Sequence, residues 1–98
     1  MADTEMYEAL HPDPTKKGAR VTKATYDAYR DAFMQVIPSD ETGIELQALI
    51  DGIVHHLPPE LQQSTSPGWW MMTVKLDLEA RGAIERVPGK GKQRVRRK

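Results

Sequence analysis

Cysteine is missing from the 98-residue chain, and its absence excludes disulfide staples, thiolate metal sites and thiol nucleophiles together. It leaves the redox compartment unspecified. Long apolar runs are missing too. The longest, Trp69-Trp70-Met71-Met72, falls far short of the roughly 20 residues a membrane helix needs, and the polar N-terminus lacks the apolar stretch of a signal peptide. The expectation is a cytoplasmic protein with no membrane partner. No repeat is visible at periods of about 20 residues or more, and no segment is of low complexity apart from a basic tail. What is present is an ordinary globular mixture, 39% hydrophobic and 29% charged, in a length that suits one domain and excludes two independent cores.

The formal net charge is zero, which by itself argues against a polyanionic partner, but the charges are segregated. Residues 1–66 hold five basic groups against eleven acidic ones, whereas residues 67–98 hold nine against three. From Arg86 to Lys98 there are seven cations and no carboxylate. A field of that kind reaches about a Debye length and directs anionic partners to the C-terminal end. The alternative is a solvated basic tail that keeps a near-neutral protein soluble.

Residues 1–20 contain His11-Pro12-Asp13-Pro14, where each proline removes an amide donor and biases its predecessor away from helix. They read as an extended arm whose Met6, Tyr7 and Leu10 are apolar enough to dock. Residues 21–98 read as the folded domain. A first helix starts at Thr22, whose hydroxyl suits a cap, and ends before Pro38, with Tyr26, Tyr29, Phe33 and Ile37 on one stripe. Pro38 to Gly43 is dense in turn formers, and Ile44 is either a short strand or a staple at the helix start. Leu46, Leu49, Ile50, Ile53, Val54 and Leu57 then mark a second helix, ended by Pro58-Pro59. A polar link, Glu60 to Pro67, leads to a third helix from about Gly68 to Arg81, with Ser66 as cap, Pro67 in the first turn and Gly82 as the stop. After Gly82 the period shortens. Ile84 to Val87, Pro88 to Lys92 and Gln93 to Arg96 read as strand, glycine-containing loop and strand.

Helix, short extended piece, helix, turn, helix and hairpin is the layout of a winged helix-turn-helix domain. The segment Thr73 to Arg86 resembles the end of a winged-helix recognition helix entering its wing, where a core leucine precedes the C-cap glycine by four residues and an aliphatic residue follows it by two. Leu78 and Ile84 match those positions. The whole chain, including His11-Pro12-Asp13-Pro14 and Gly68-Trp69-Trp70, also resembles a family of small bacterial winged-helix proteins with no established activity. The fold expected is therefore α+β and mainly α: a three-helix winged helix-turn-helix with a C-terminal hairpin wing at about 83–97 and an extended N-terminal arm. The resemblance implies that the third helix enters the major groove while the wing touches phosphate or the minor groove.

The helical wheel of that third helix conflicts with base reading. Trp70, Met71, Val74, Leu78 and Arg81 fall on one side, the natural core face, and Trp69, Met72, Leu76 and Glu79 fall opposite. Base edges call for Arg, Lys, Asn, Gln, Ser or Thr, and only Thr73, Lys75 and the upstream Gln62, Gln63 and Ser64 qualify. Three accounts of the second apolar face stand open: the arm folds across it, it meets a second copy or another protein, or the phase of the helix is misassigned.

Other chemistry finds little footing. Neighbouring His55 and His56 point about 100° apart on a helix and make a poor shared metal site. Ser39, Ser64 and Ser66 lack a histidine placed as base. Asp40-Glu41 lies in a turn, and Asp77 and Glu79 face different ways. The segment Pro88 to Lys92 lacks the strand, helix and Lys-Ser/Thr step of a phosphate loop. No enzyme, metal or cofactor is expected. Trp69-Trp70 can stack on unpaired bases, or else supplies one core anchor and one partly exposed neighbour. The leading expectation is duplex DNA binding in a regulatory role, as a dimer. Arg86, Lys90, Lys92, Arg94, Arg96 and Arg97 would supply charge, and Thr73 and Lys75 are candidates for the groove. The rival is a protein-interaction or homodimerisation module of the same fold, in which Trp69, Met72 and Leu76 meet the partner and no nucleic acid is bound.

Overall fold

The computed structural model describes residues 5–89 and 91–98. They form an α+β domain, about half helical. The elements are β1 (Met6–Ala9), β2 (Ala19–Thr22), α1 (Lys23–Val36), β3 (Ile44–Glu45), α2 (Leu46–His56), α3 (Pro59–Ser64), α4 (Pro67–Ala80), β4 (Ile84–Arg86) and β5 (Arg94–Arg97).

The stripe expected for α1 is the core: Tyr26, Tyr29 and Phe33 are buried, as is Ile37 just beyond the helix. Leu49, Ile53 and Leu57 of the second stripe, together with Met71, Val74 and Leu78 of α4, complete it. Helix α1 packs on both α2 and α4. Trp70 stacks on Tyr29 with ring centroids 5.3 Å apart, so the phase assigned to α4 holds at its apolar positions. The caps differ from expectation. Thr22 and Ser66 occupy N-cap positions without a side-chain cap bond. Thr22 instead ends β2, and the Lys23 amide donates to the Glu5 carbonyl at 2.9 Å.

Four helices are present among the described residues, where three were expected. The extra one, α3, lies in the supposed polar link. The second helix ends before Pro58-Pro59 as expected, with Leu57 as its C-cap, but Pro59 also begins the next helix. It occupies the first turn of α3, where the missing amide costs no helical bond and the fixed φ suits a helix start, and Leu61 packs against the core. The segment expected as an extended arm is also built differently: β1 and β2 pair antiparallel, Met6 opposite Thr22 and Ala9 opposite Ala19. This hairpin packs on α1 and α4, with Ala9 and Val21 buried. Gly18 is required in it, because a Cβ there would lie 1.7 Å from the Ala9 carbonyl oxygen.

The second sheet has the order β3-β5-β4, antiparallel throughout, so the last strand in sequence is the middle one in space. Val95 of β5 lies opposite Ile44 on one side and Arg86 on the other. Helix α4 passes into β4 through a left-handed stop at Gly82, φ 79°. The Gly82 amide donates to the Glu79 carbonyl at 3.1 Å and the Ala83 amide to the Leu78 carbonyl at 2.9 Å, the paired bonds of a Schellman ending. Leu78 and Ile84, the two positions that flank this stop, are both buried.

Candidate nucleic-acid interface

The antiparallel ladder that projects the basic segment also decides which of its cations face solvent. Alternation along β5 puts Arg94 and Arg96 on the same face, and the register sets Glu45 of β3 opposite Arg94 and Glu85 of β4 opposite Arg96. Both become cross-strand ion pairs: Arg94 donates to Glu45 at 2.9 Å and Arg96 to Glu85 at 2.8 Å. Arg97 donates to the Met34 carbonyl oxygen. The guanidinium groups of β5 are thus tied to the molecule's own acceptors. Arg86 and Lys92 are exposed and form no ion pair among the described residues. Lys90 lies outside the described residues.

Between Arg86 and Arg94 the chain turns back through Val87, whose amide donates to the Arg94 carbonyl at 2.9 Å. Gly89 and Gly91 have φ of 146° and 94°, values only glycine takes without strain. The turn encloses an open cavity of about 400 Å³ lined by Arg86, Lys92 and Arg94 among others. Chemically this is a cationic loop with accessible backbone, suited to phosphate oxygens and indifferent to base identity.

Helix α4 presents no groove-reading face. Thr73 is buried, its hydroxyl donating to the Trp69 carbonyl at 3.0 Å. Lys75 is 4% exposed and its ammonium donates to Glu79 at 3.0 Å. Both were candidates for DNA contact, and both are buried: Thr73 adjoins Ala9, Gly18 and Ala19 of the β1–β2 hairpin, whereas Lys75 lies about 160° further round the helix and pairs with Glu79. Of the upstream polar residues, Gln62 donates to the Leu57 carbonyl and Ser64 to the Glu60 carbonyl. Coverage by the hairpin is incomplete. Trp69 remains 53% exposed and Met72 39%, with Leu10 alongside at 44%. Leu76 is half-buried and shares a groove of about 170 Å³ with Leu10 and Trp69. The ring nitrogens of His55 and His56 bond to the carbonyls one turn back, and no group of metal-ligating side chains occurs among the described residues.

Sequence reasoning missed the most connected polar residue, Asp77. It is fully buried on α4. One carboxylate oxygen accepts the hydroxyls of Tyr7, at 2.9 Å, and of Tyr26; the other accepts the Leu10 amide at 2.8 Å and Arg81 Nε at 2.9 Å. Burial pushes the Asp77 carboxyl up, but the bonds from Tyr26, the Leu10 amide, Tyr7 and Arg81 outweigh it, and the net shift is downward. Burial and the neighbouring carboxylate hold the Tyr26 and Tyr7 phenols above their ordinary value. The bond to Asp77 raises Arg81. The rings of Tyr7 and Tyr26 stack with centroids 4.1 Å apart, and the Arg81 guanidinium lies 5.4 Å from the centre of the Tyr7 ring. The available signal was a carboxylate within an apolar helix, four residues before an arginine.

Comparison with known proteins adds a family and no activity. A model of a family of unknown function, DUF6958, matches residues 6–95, and the chain belongs to that family. No curated protein and no solved structure matches it.

Proposed function

We propose that the chain is a small winged helix-turn-helix protein that binds duplex DNA without base reading, in a regulatory role, through phosphate contacts from the turn between β4 and β5. The β3-β5-β4 order supports the winged-helix reading, since the short piece at Ile44 joins the terminal hairpin as an edge strand and α4 leads directly into β4. The observation that carries the binding site is the exposure of Arg86 and Lys92 on either side of a glycine-containing turn. Each phosphate neutralised releases condensed counterions, so the interaction is weak, salt-sensitive and tolerant of sequence. Thr73 and Lys75 take no part in it, and Arg94, Arg96 and Arg97 serve the sheet first.

Fluorescence anisotropy of a labelled random duplex tests the proposal. Binding at low salt is expected, with a log–log salt slope of about −0.9 per phosphate contact, and Arg86→Ala or Lys92→Ala should each make the slope shallower by about that amount. No rise in anisotropy at about 100 µM protein in low salt, where even the weakest of the usual non-specific affinities would register, overturns it.

A second reading rests on a separate observation, the exposure of Trp69 and Met72 beside Leu10. It assigns that patch to a second copy of the chain, since contiguous exposed apolar surface marks a contact site. Light scattering should then give a dimer mass that Trp69→Glu reduces to a monomer at unchanged helicity. A wild-type monomer at millimolar concentration rejects it.

A further inference from the structure

Away from the basic turn, a second cavity of about 320 Å³ opens where β1, α1 and the end of α4 meet, lined by Tyr7, Lys23, Tyr26, Asp27, Arg30, Leu78, Arg81 and Ala83. Its charges are unevenly compensated. Lys23 and Asp27 neutralise each other one turn apart on α1, with Nζ 2.8 Å from the carboxylate. Arg30 is exposed and forms no ion pair among the described residues.

Arg81 is held in place. Its Nε donates to buried Asp77, its Cζ lies over the Tyr7 ring, and a long contact of 3.4 Å links its NH2 group to the Glu8 carbonyl. The other terminal nitrogen makes no hydrogen bond among the described residues, so an anchored guanidinium keeps spare donors in a cavity that a second guanidinium also lines. A fork of fixed donors loses little entropy on binding, the arrangement that suits carboxylate or phosphate oxygens. Leu78 and Ala83, together with the tyrosine rings, give the same cavity apolar wall, and the volume is at the lower end of small-molecule sites.

We infer that this cavity binds a small organic oxyanion, its carboxylate or phosphate group held between Arg30 and Arg81 and its short body against Leu78 and Ala83. The shifted phenols and carboxyl beneath it fit the crowding of titratable groups at binding sites. The site is independent of DNA binding, being built on other residues.

The test is an amide and arginine side-chain NMR titration of the full chain at pH 7 with inorganic phosphate and, separately, with succinate, each against sodium chloride at matched ionic strength. Saturable shifts are expected at residues 23–30 and 81–83 with succinate, whose methylenes can reach Leu78 and Ala83, at lower concentration than with inorganic phosphate; saturation by phosphate alone overturns the organic assignment. Arg30→Ala, at an exposed position that leaves the fold intact, should weaken binding about tenfold or more, the value of a charge-assisted bond. Arg81→Lys, which retains a cation for Asp77, should weaken it similarly, whereas Arg86→Ala should leave it unchanged. Shifts no larger than those in chloride, or saturation unaltered in Arg30→Ala, overturn the inference.

Discussion

Replacing Asp77 by alanine gives the sharpest test of how the N-terminal hairpin is fastened. The substitution removes the acceptor shared by β1, α1 and α4. Tyr26 is 1% exposed, so its hydroxyl is left without a partner or access to water, at a cost of about 1–3 kcal/mol. The Leu10 amide loses a charge-assisted bond worth roughly 1.5 kcal/mol. Tyr7 and Arg81 reach solvent and can be rehydrated when the carboxylate is lost, so they add less, about 0–1 kcal/mol together. The expected loss is therefore about 3–4 kcal/mol, a large share of the roughly 5–15 kcal/mol that stabilises a domain. It corresponds to a fall in Tm of more than about 10 °C for a chain of this length. Urea unfolding measures it, with Tyr26→Phe and the double variant closing a cycle. Coupling between Asp77 and Tyr26 of at least about 1 kcal/mol is expected for groups in one network. A loss for Asp77→Ala below about 1 kcal/mol, or strict additivity with Tyr26→Phe, would refute the reasoning.

The same network fixes the sign of the pH dependence. Because the native Asp77 carboxyl lies below its ordinary value, its contribution is complete above about pH 4 and is lost as pH falls through the native pKa. The acid limb should flatten in Asp77→Asn. At the other end Tyr26 is raised, so the unfolded phenol ionises first and stability falls above about pH 10; Tyr26→Phe should remove part of that fall in circular-dichroism melts. Gly18→Ala should destabilise the β1–β2 hairpin severely, since the new Cβ meets the Ala9 carbonyl; unchanged amide-exchange protection of residues 6–9 would contradict this. Adjacent tryptophans should diverge: Trp70→Ala, which breaks the stack on Tyr29, costs about 3 kcal/mol or more, whereas Trp69→Ala at its exposed position stays within about 0.5 kcal/mol. Equal losses in thermal melts would sink that distinction.

The helices with a single apolar stripe were legible because burial on one side leaves a period. Tyr26, Tyr29 and Phe33, or Leu49 and Ile53, announce both the element and the face it buries. The ending at Gly82 was equally plain, since a positive φ there selects glycine. Helix α4 reads poorly for the opposite reason. It is packed on two sides, by α1 and α2 and by the N-terminal hairpin, so Thr73, Lys75 and Asp77 read as solvent-facing polar positions although all three are buried. For Asp77 the partners are far away in sequence, Tyr7 and Leu10. Nor does counting cations from Arg86 onward reveal which are spent. The register that brings Glu45 to Arg94 and Glu85 to Arg96 is a property of the assembled sheet. Pro59, taken as the end of one helix, begins another, because the residue type is compatible with both roles.

The central place of β5 has a consequence for the order in which the molecule is made. Ile44 emerges from the ribosome long before Val95, its partner, and the sheet has an unfilled slot until residues 94–97 are synthesised. The helices and the N-terminal hairpin, whose contacts are available earlier, can collapse first and wait. Pairing of β5 in that slot comes last, and it joins β4 to the sheet and covers Ile44 together.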